Sequence, residues 1–435
     1  MNAILYKATY YCLYGSQFIC VFLLSCAFLI SFISVECEIS KSYPKPYQPK
    51  IIGSKWFYEL PYLKMDAVIT HEPEASLNYS KITTKQFRQA HNTPKNLTTQ
   101  SIIYITLMEN IFVQRRMIVK NDTLIRLLSF NAANFQDPIK ETVEIYEEMV
   151  YVHQFWNMYG HNIHDFIAAL MFVPKELNDR GFYVLKPLSC TQITYEIARY
   201  LNLNVTFISI PNEKTQQVFA KKLWVVTSRE LGHGFASGGF QKIREIVFQK
   251  EEYIKIKPER YVVANRPVSS RRFFDDANKL VKMLNENTKI ENGCRWVRDD
   301  KSYGVPLHDM VKYWMSLKVL VAVQGSGVYN AIFMHEKTGL CLLFSELVDV
   351  PNLQLSAHLH IFTIGVIHPN RPILHTKPHP TNYTDMITYT QRVVDAVNAG
   401  RWTNLDGIIG FLKPSYPVTN ATYFLYNYKE FAIHW

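Results

Sequence analysis

The sequence predicts an α/β chain of two doubly wound domains facing a cleft, carried behind an N-terminal membrane anchor. Three observations predict it. From about residue 145 onward, short aliphatic runs alternate with segments of helical period, the pattern of a parallel sheet covered on both faces. At Lys318–Met334 (KVLVAVQGSGVYNAIFM) one such run enters a Gln-Gly-Ser-Gly turn and leaves as an amphipathic segment. Finally, Ala8 to Val35 carry no charge and Phe18 to Val35 are nearly all apolar. A membrane span needs roughly 20 such residues.

The anchor sets the compartment. Lys7 and the amino terminus flank it on one side, Glu36 and Glu38 on the other. The positive-inside rule then keeps residues 1–17 in the cytoplasm, spans the bilayer with 18–35 and translocates the rest. A cleaved signal peptide is the alternative; the long uncharged stretch lacks a clear small-residue cleavage site, which favours the anchor. Residues 36–50 read as a stem, because Tyr43–Lys50 (YPKPYQPK) holds three prolines and no apolar period. Asn78, Asn96, Asn121, Asn204, Asn382 and Asn420 each open an Asn-x-Ser/Thr acceptor, as an N-glycosylated lumenal protein would show. A single-pass type II protein of the Golgi or endoplasmic reticulum is expected. Outside the apolar segment and its edge, only Cys190, Cys294 and Cys341 remain. They form no metal or redox spacing, so the fold rests on its core.

The body divides into an N-terminal domain (51–250), a C-terminal domain (251–400) and a closing segment (401–435) expected to pack back on the first. Residues 51–140 show little readable pattern. Beyond them, His161–Leu177 has a helical period, Phe182–Leu185 reads as a strand and Thr191–Asn202 as a helix. Val205–Ile210 and Leu223–Thr227 read as buried strands. The polar run Gln249–Pro258 reads as the crossing between domains. The alternation then resumes with a strand at Tyr261–Ala264, helices at Ser270–Asn287 and Leu307–Leu317, the opening strand–turn–helix, and a strand at Leu340–Ser345. Ligands of such sheets bind outside the carboxyl ends of the strands.

The net charge of +10 is scattered, with no basic block interleaved with aromatics, so no nucleic-acid partner is expected. Three constellations carry chemistry. Gln324-Gly325-Ser326-Gly327 with Asn330 forms either an anion cradle at a helix N-terminus or a plain strand–helix junction. Arg266 follows a strand, and Arg271 and Arg272 open the next helix. Guanidinium groups there can fork onto phosphate oxygens, although surface arginine is the ordinary alternative. In Gly160-His-Asn-Ile-His-Asp165, His161 and Asp165 share a helix face. They suit a general base on an acceptor hydroxyl; His161 with His164 also suits a zinc pair, and helix capping explains them equally. His308, His358 and His360 are the remaining candidate ligands for such a pair. The chain contains no Asp-x-Asp; Asp275-Asp276 and Asp299-Asp300 are adjacent pairs. A diphosphate would therefore be neutralised by arginines and helix N-termini, with no metal or other cofactor expected.

Together these residues resemble glycosyltransferase family 61, which includes secretory-pathway xylosyl-, arabinosyl- and N-acetylglucosaminyltransferases. The resemblance spans about 145–370. Asn157-Met-Tyr-Gly-His161-Asn-Ile-His-Asp165 is similar to the family's Asn and His-x-x-x-Asp, with one extra residue before the histidine. Arg266 and Arg272 fit its paired arginines, with Asp275-Asp276 where the family has Asn-Glu. Val323–Met334 resembles its His-Gly-Ala/Ser-Gly motif, with Gln324 in place of the histidine. Leu342-Leu-Phe-Ser-Glu346 resembles the following strand and its acidic residue. The resemblance implies a GT-B-like fold of two Rossmann-type domains and inverting, metal-independent transfer from a UDP-sugar to a glycan or glycoprotein hydroxyl. Xylose or N-acetylglucosamine is the implied sugar. It also implies His161 or Asp165 as base, with Arg266, Arg271, Arg272, Gln324, Gly325, Ser326, Gly327, Asn330 and Glu346 on the donor side. The alternatives are a non-catalytic lumenal sugar- or nucleotide-binding protein on the same scaffold, and a zinc hydrolase built on His161 and His164.

Overall fold

The computed structural model describes residues 64–69, 80–83, 102–115, 117–120, 123–125, 140–152, 158–187, 192–228, 239–267, 272–300, 305–345, 349–368, 381–404 and 408–410. The expected anchor (18–35), its flanks and the acceptors at Asn78, Asn96, Asn121 and Asn420 lie outside these residues. Among the described residues, no helix is long and apolar enough to cross a membrane.

Two sheets organise the chain. The first holds β1 (Lys64–Ile69), β3 (Ile102–Gln114), β4 (Met117–Lys120), β5 (Thr123–Ile125), β6 (Glu141–Val152), β7 (Phe182–Leu185), β8 (Val205–Ile208) and β9 (Gln216–Ser228). Their order is β5-β4-β3-β9-β6-β7-β8, with β1 also on β3. Only β9-β6-β7-β8 run parallel; β3 pairs antiparallel with β1, β4 and β9. The first sheet is therefore mixed, where a doubly wound one was expected. The long strands β3 and β9 pair along most of their length, and this ladder needs no helical crossover.

The second sheet holds β2 (Ser80–Thr83), β10 (Arg260–Ala264), β11 (Trp296–Arg298), β12 (Leu317–Val323), β13 (Gly339–Phe344), β14 (Phe362–Ile367) and β15 (Ile408–Gly410), in the order β11-β10-β12-β13-β14-β2-β15. It is parallel except for β15, which runs antiparallel to β2. The described part of the closing segment thus joins the second sheet, and a strand from residues 80–83 does too. Apart from Lys318, every residue of β12, β13 and β14 is buried. Burial on both faces explains their uninterrupted apolar sequences. Successive side chains still alternate. Val262, Ala264, Leu320 and Ala322 join one core, and Tyr261, Val263, Val319 and Val321 the other.

The first helix, α1, is composite: an α turn at Tyr159–His161, a π-helical Asn162–Ile167 and an α turn at Ala168–Leu170. It was expected to run on to Leu177. Instead the chain turns, and Pro174 opens a separate α2 (Lys175–Arg180). Then come α3 (Gln192–Tyr200), α4 (Gly239–Phe248) and α5 (Glu251–Ile254), the last inside the polar crossing. Helix α6 (Ala277–Asn287) starts later than the pattern implied. Asp276 caps it, its Oδ1 accepting from the Lys279 N–H at 2.9 Å. Next are α7 (Leu307–Met315), a 3₁₀ helix (Ser326–Phe333), α8 (Val350–His358) and α9 (Tyr383–Ala399). Residues of α6 and α9 cover one face of the second sheet. The other face shares a continuous core with α1, α4, α7 and the 3₁₀ helix, and that core reaches β6, β7 and β9 of the first sheet. A helix buried all round, as α1 is from Asn162 to Leu170, is fixed by its neighbours and not by solvent. Cys294 and Cys341 are unbonded.

Candidate functional site

The order of the second sheet selects one place on it. From β10 the chain goes to β11 on one side, then returns to β12 on the other. The crevice between two strands whose connections diverge in this way, outside their carboxyl ends, is the favoured ligand position of an open α/β sheet. Asn265–Arg266 follow β10 there, and Gln324–Gly325 follow β12.

Gly325 has φ 138° and ψ −172°, a region essentially restricted to glycine. A side chain on it would begin 2.8 Å from Arg266 Nη1 and 3.5 Å from Arg272 Nη1. Both guanidiniums therefore converge on the backbone of the turn. Arg271 and Glu346, also expected here, lie outside the described residues. The 3₁₀ helix opens at half-buried Ser326, followed by buried Gly327. The first N–H groups of a helix have no partner within it and so point at whatever lies ahead. Ser326 and Gly327 contribute such groups beside the two arginines.

The other residues assigned to this turn serve the interior. Gln324 is fully buried; its Nε2 donates to Ser345 Oγ at 2.8 Å and its Oε1 accepts from the Asp349 N–H at 3.0 Å. The Gly325 N–H donates to Asn352 Oδ1 at 3.0 Å. Asn330 is buried, and its Oδ1 accepts the Tyr159 hydroxyl. Gln324 thus braces the turn and Asn330 ties the 3₁₀ helix to α1, where the sequence placed both on the donor side. Asp275 and Asp276 are also structural. The Tyr383 hydroxyl donates to Asp275 Oδ1 at 2.6 Å and accepts from the Asp276 N–H at 2.9 Å.

The third constellation sits directly against the turn. A side chain on Gly160 would begin 2.8 Å from the Tyr329 ring and 3.1 Å from Ser326 Cα, so the start of α1 packs on the start of the 3₁₀ helix only because residue 160 is glycine. The next residue is His161. Its Nδ1 lies 2.8 Å from Asp165 Oδ2, and His164 Nδ1 lies 2.6 Å from Asp165 Oδ1. One buried carboxylate therefore addresses two imidazoles. The side chain of His161 is 15% exposed, against 2% for His164 and Asp165. His164 stacks on Tyr329, with ring centroids 4.5 Å apart, and the Tyr329 hydroxyl reaches Asp349 Oδ1 at 3.4 Å. Burial, together with the Asp349 and Asp165 carboxylates, pushes the Tyr329 phenol well above its ordinary value. Burial does the same to Tyr159, partly offset by its bond to Asn330. Both phenols stay protonated and act as hydrogen-bond donors. Ligand atoms of His161, His164 and Asp165 lie within 4.8 Å of one another, a grouping able to hold a metal; His308, His358 and His360 are not part of it. In the geometry present, both Nδ1 atoms face carboxylate oxygens.

Arg266, Arg272, Gly325, Ser326, His161 and Asp165 are thus brought together from three separate segments. Asn265, Tyr329, Asp349 and Asn352 shape the same place, and no local signal marked them. Asn157 lies outside the described residues. Residues 159–341, which contain every one of the contributing segments up to β13, match the family model Glycosyltransferase 61, which supports membership of that family. No curated protein gives a significant match to the chain.

Proposed function

We propose, from membership of glycosyltransferase family 61 and the convergence of Arg266 and Arg272 on the Gly325 turn, that the chain transfers a sugar from a UDP-sugar to a hydroxyl of a glycan or glycoprotein. The donor diphosphate lies over the Gly325–Gly327 backbone. The two guanidiniums and the Ser326 and Gly327 N–H groups take up its charge. His161 is the base. Asp165 accepts a hydrogen bond from the His161 Nδ1–H, which fixes the tautomer and leaves Nε2 with a lone pair for the acceptor O–H. As that proton moves to Nε2, the acceptor oxygen bonds to the anomeric carbon. The bond from that carbon to the diphosphate breaks, and UDP departs with the electron pair. A single displacement inverts the anomeric centre. Charge developing on the leaving group is met by preorganised donors, so no metal step is required. Gln324, which replaces the family's histidine, is compatible with activity in this scheme because its amide braces the turn. The setting is the lumen of the endoplasmic reticulum or Golgi, with xylose or N-acetylglucosamine as the sugar.

The test is a panel of UDP-sugars offered to the full chain with and without chelator, read as thermal stabilisation and as UDP release with acceptor glycans present. Chelator-resistant release with one donor is expected. Stabilisation without release under all conditions would instead make the chain a nucleotide-sugar binder.

A further inference from the structure

Arg266 and Arg272 lie in sequence between two positions, 265 and 274, that one side chain ties together. Asn265 follows β10 and is only 8% exposed. Its Oδ1 accepts from the Phe274 N–H at 2.7 Å and from the Arg266 N–H at 3.0 Å, and its Nδ2 donates to the Phe274 carbonyl at 3.0 Å. Its own N–H donates to Asp300 Oδ1 at 2.8 Å, which fixes the backbone from which the side chain springs. Residues 265 and 274 are thus joined as two paired strand residues would be, although no strand pairs them. Between these ends lie both arginines, Arg266 at the start and Arg272 near the close. Phe273 and Phe274, each 1% exposed, nail the returning limb into the core. Tyr383 holds the next two residues through Asp275 and Asp276.

We infer that Asn265 is the positioning residue of the diphosphate site, holding residues 265, 266 and 274 together so that Arg266 and Arg272 meet at Gly325. This rests on the donor site proposed above. Long cationic side chains lose considerable freedom on binding an anion, and a site built in advance avoids that loss. Asn265 holds the backbone of Arg266 and that of Phe274, two residues after Arg272. Its side chain is engaged with the Arg266 and Phe274 backbones, so its effect falls on the phosphate part of the ligand.

The experiment compares UDP with uridine, measured by titration calorimetry on the full chain, for wild type, Asn265→Ala, Asn265→Ser and Arg266→Ala. Asn265→Ser keeps a buried hydroxyl but cannot span to Phe274, so it decides the matter if the alanine variant does not fold. Both variants are expected to lose tenfold or more in UDP affinity while uridine binding changes less than twofold. A merely structural role would weaken both ligands together, and that result overturns the inference. So does a folded variant with wild-type UDP affinity while Arg266→Ala has lost it. If wild type binds no UDP, the donor-site reading itself falls.

Discussion

Replacing Gly325 by alanine tests the turn at its tightest point. The backbone there, at φ 138° and ψ −172°, is open to glycine and strained for any other residue. Holding alanine in that region costs about 1–3 kcal/mol. The added carbon would also start 2.8 Å from Arg266 Nη1, inside any permitted contact. A guanidinium is the mobile end of a long side chain, so it gives way cheaply and leaves its place on the turn. The steric term therefore adds little to the stability loss but removes one charge-assisted contact from the bound diphosphate. Such contacts contribute about 1.5–3 kcal/mol, which is roughly 10- to 150-fold in affinity. Urea unfolding measures the first effect and UDP titration the second. The two substitutions share a mechanism, so Gly325→Ala combined with Arg266→Ala should bind UDP no more weakly than Arg266→Ala alone. Fully additive losses would refute displacement of Arg266 as the cause. Wild-type stability of Gly325→Ala would refute the strain.

Other outcomes follow from the same geometry. Gly160→Ala should destabilise the fold by about 1–3 kcal/mol, the usual cost of overpacking, because the new methyl meets a stacked ring and a backbone atom, neither free to move; unchanged urea unfolding would argue against that close approach. Asp165→Asn should keep UDP affinity but lower turnover by about 10²-fold or more, since the tautomer of His161 is no longer set; steady-state kinetics beside calorimetry separates the two. Asp275 links stability to acid. Burial raises its carboxyl, but hydrogen bonds from Tyr383 and Thr381 outweigh this and hold it below its ordinary value of 3.8. A depressed carboxyl contributes stability above its unfolded value and loses it as pH falls through the folded one. Tyr383→Phe should therefore be less stable than wild type at pH 6, and the gap should narrow below about pH 4, as read from urea midpoints.

In the second sheet β10, β12 and β13 were legible as uninterrupted apolar runs, whereas β2, β11, β14 and β15 were not read. Runs such as LVAV in β12 and LCLLF in β13 carry no polar residue to blur them, and the structure ends them within a residue of the expected limits. In the first sheet β7, β8 and the end of β9 were read, but the strands before β7 were not. In β6, ETVEIYEEMVYV, charged residues occupy the exposed side, and its ladder partner β9 lies far along the chain. The helix expected through Leu177 overlooked Pro174, a stop signal present in the sequence. The helix expected from Ser270 begins at Ala277, because Asn265 holds Phe274 in a turn that local propensity does not reveal. At the candidate site, Arg266, Gly325 and His161–Asp165 were singled out in the sequence because each belongs to a short motif. Asn265, Asn352 and Asp349 were not, since each is a single polar residue defined by a distant partner. Gln324 shows the converse: its motif position suggested a ligand contact, but its partners at Ser345 and Asp349 make it a brace.

The central claim is that Arg266 reads a donor diphosphate at the carboxyl end of β10. Titrating UDP and uridine into wild type and Arg266→Ala tests it most directly. Wild type should prefer UDP, and the variant, still folded, should lose at least roughly tenfold in UDP affinity with uridine binding unchanged. Equal UDP affinity in the two proteins would contradict it.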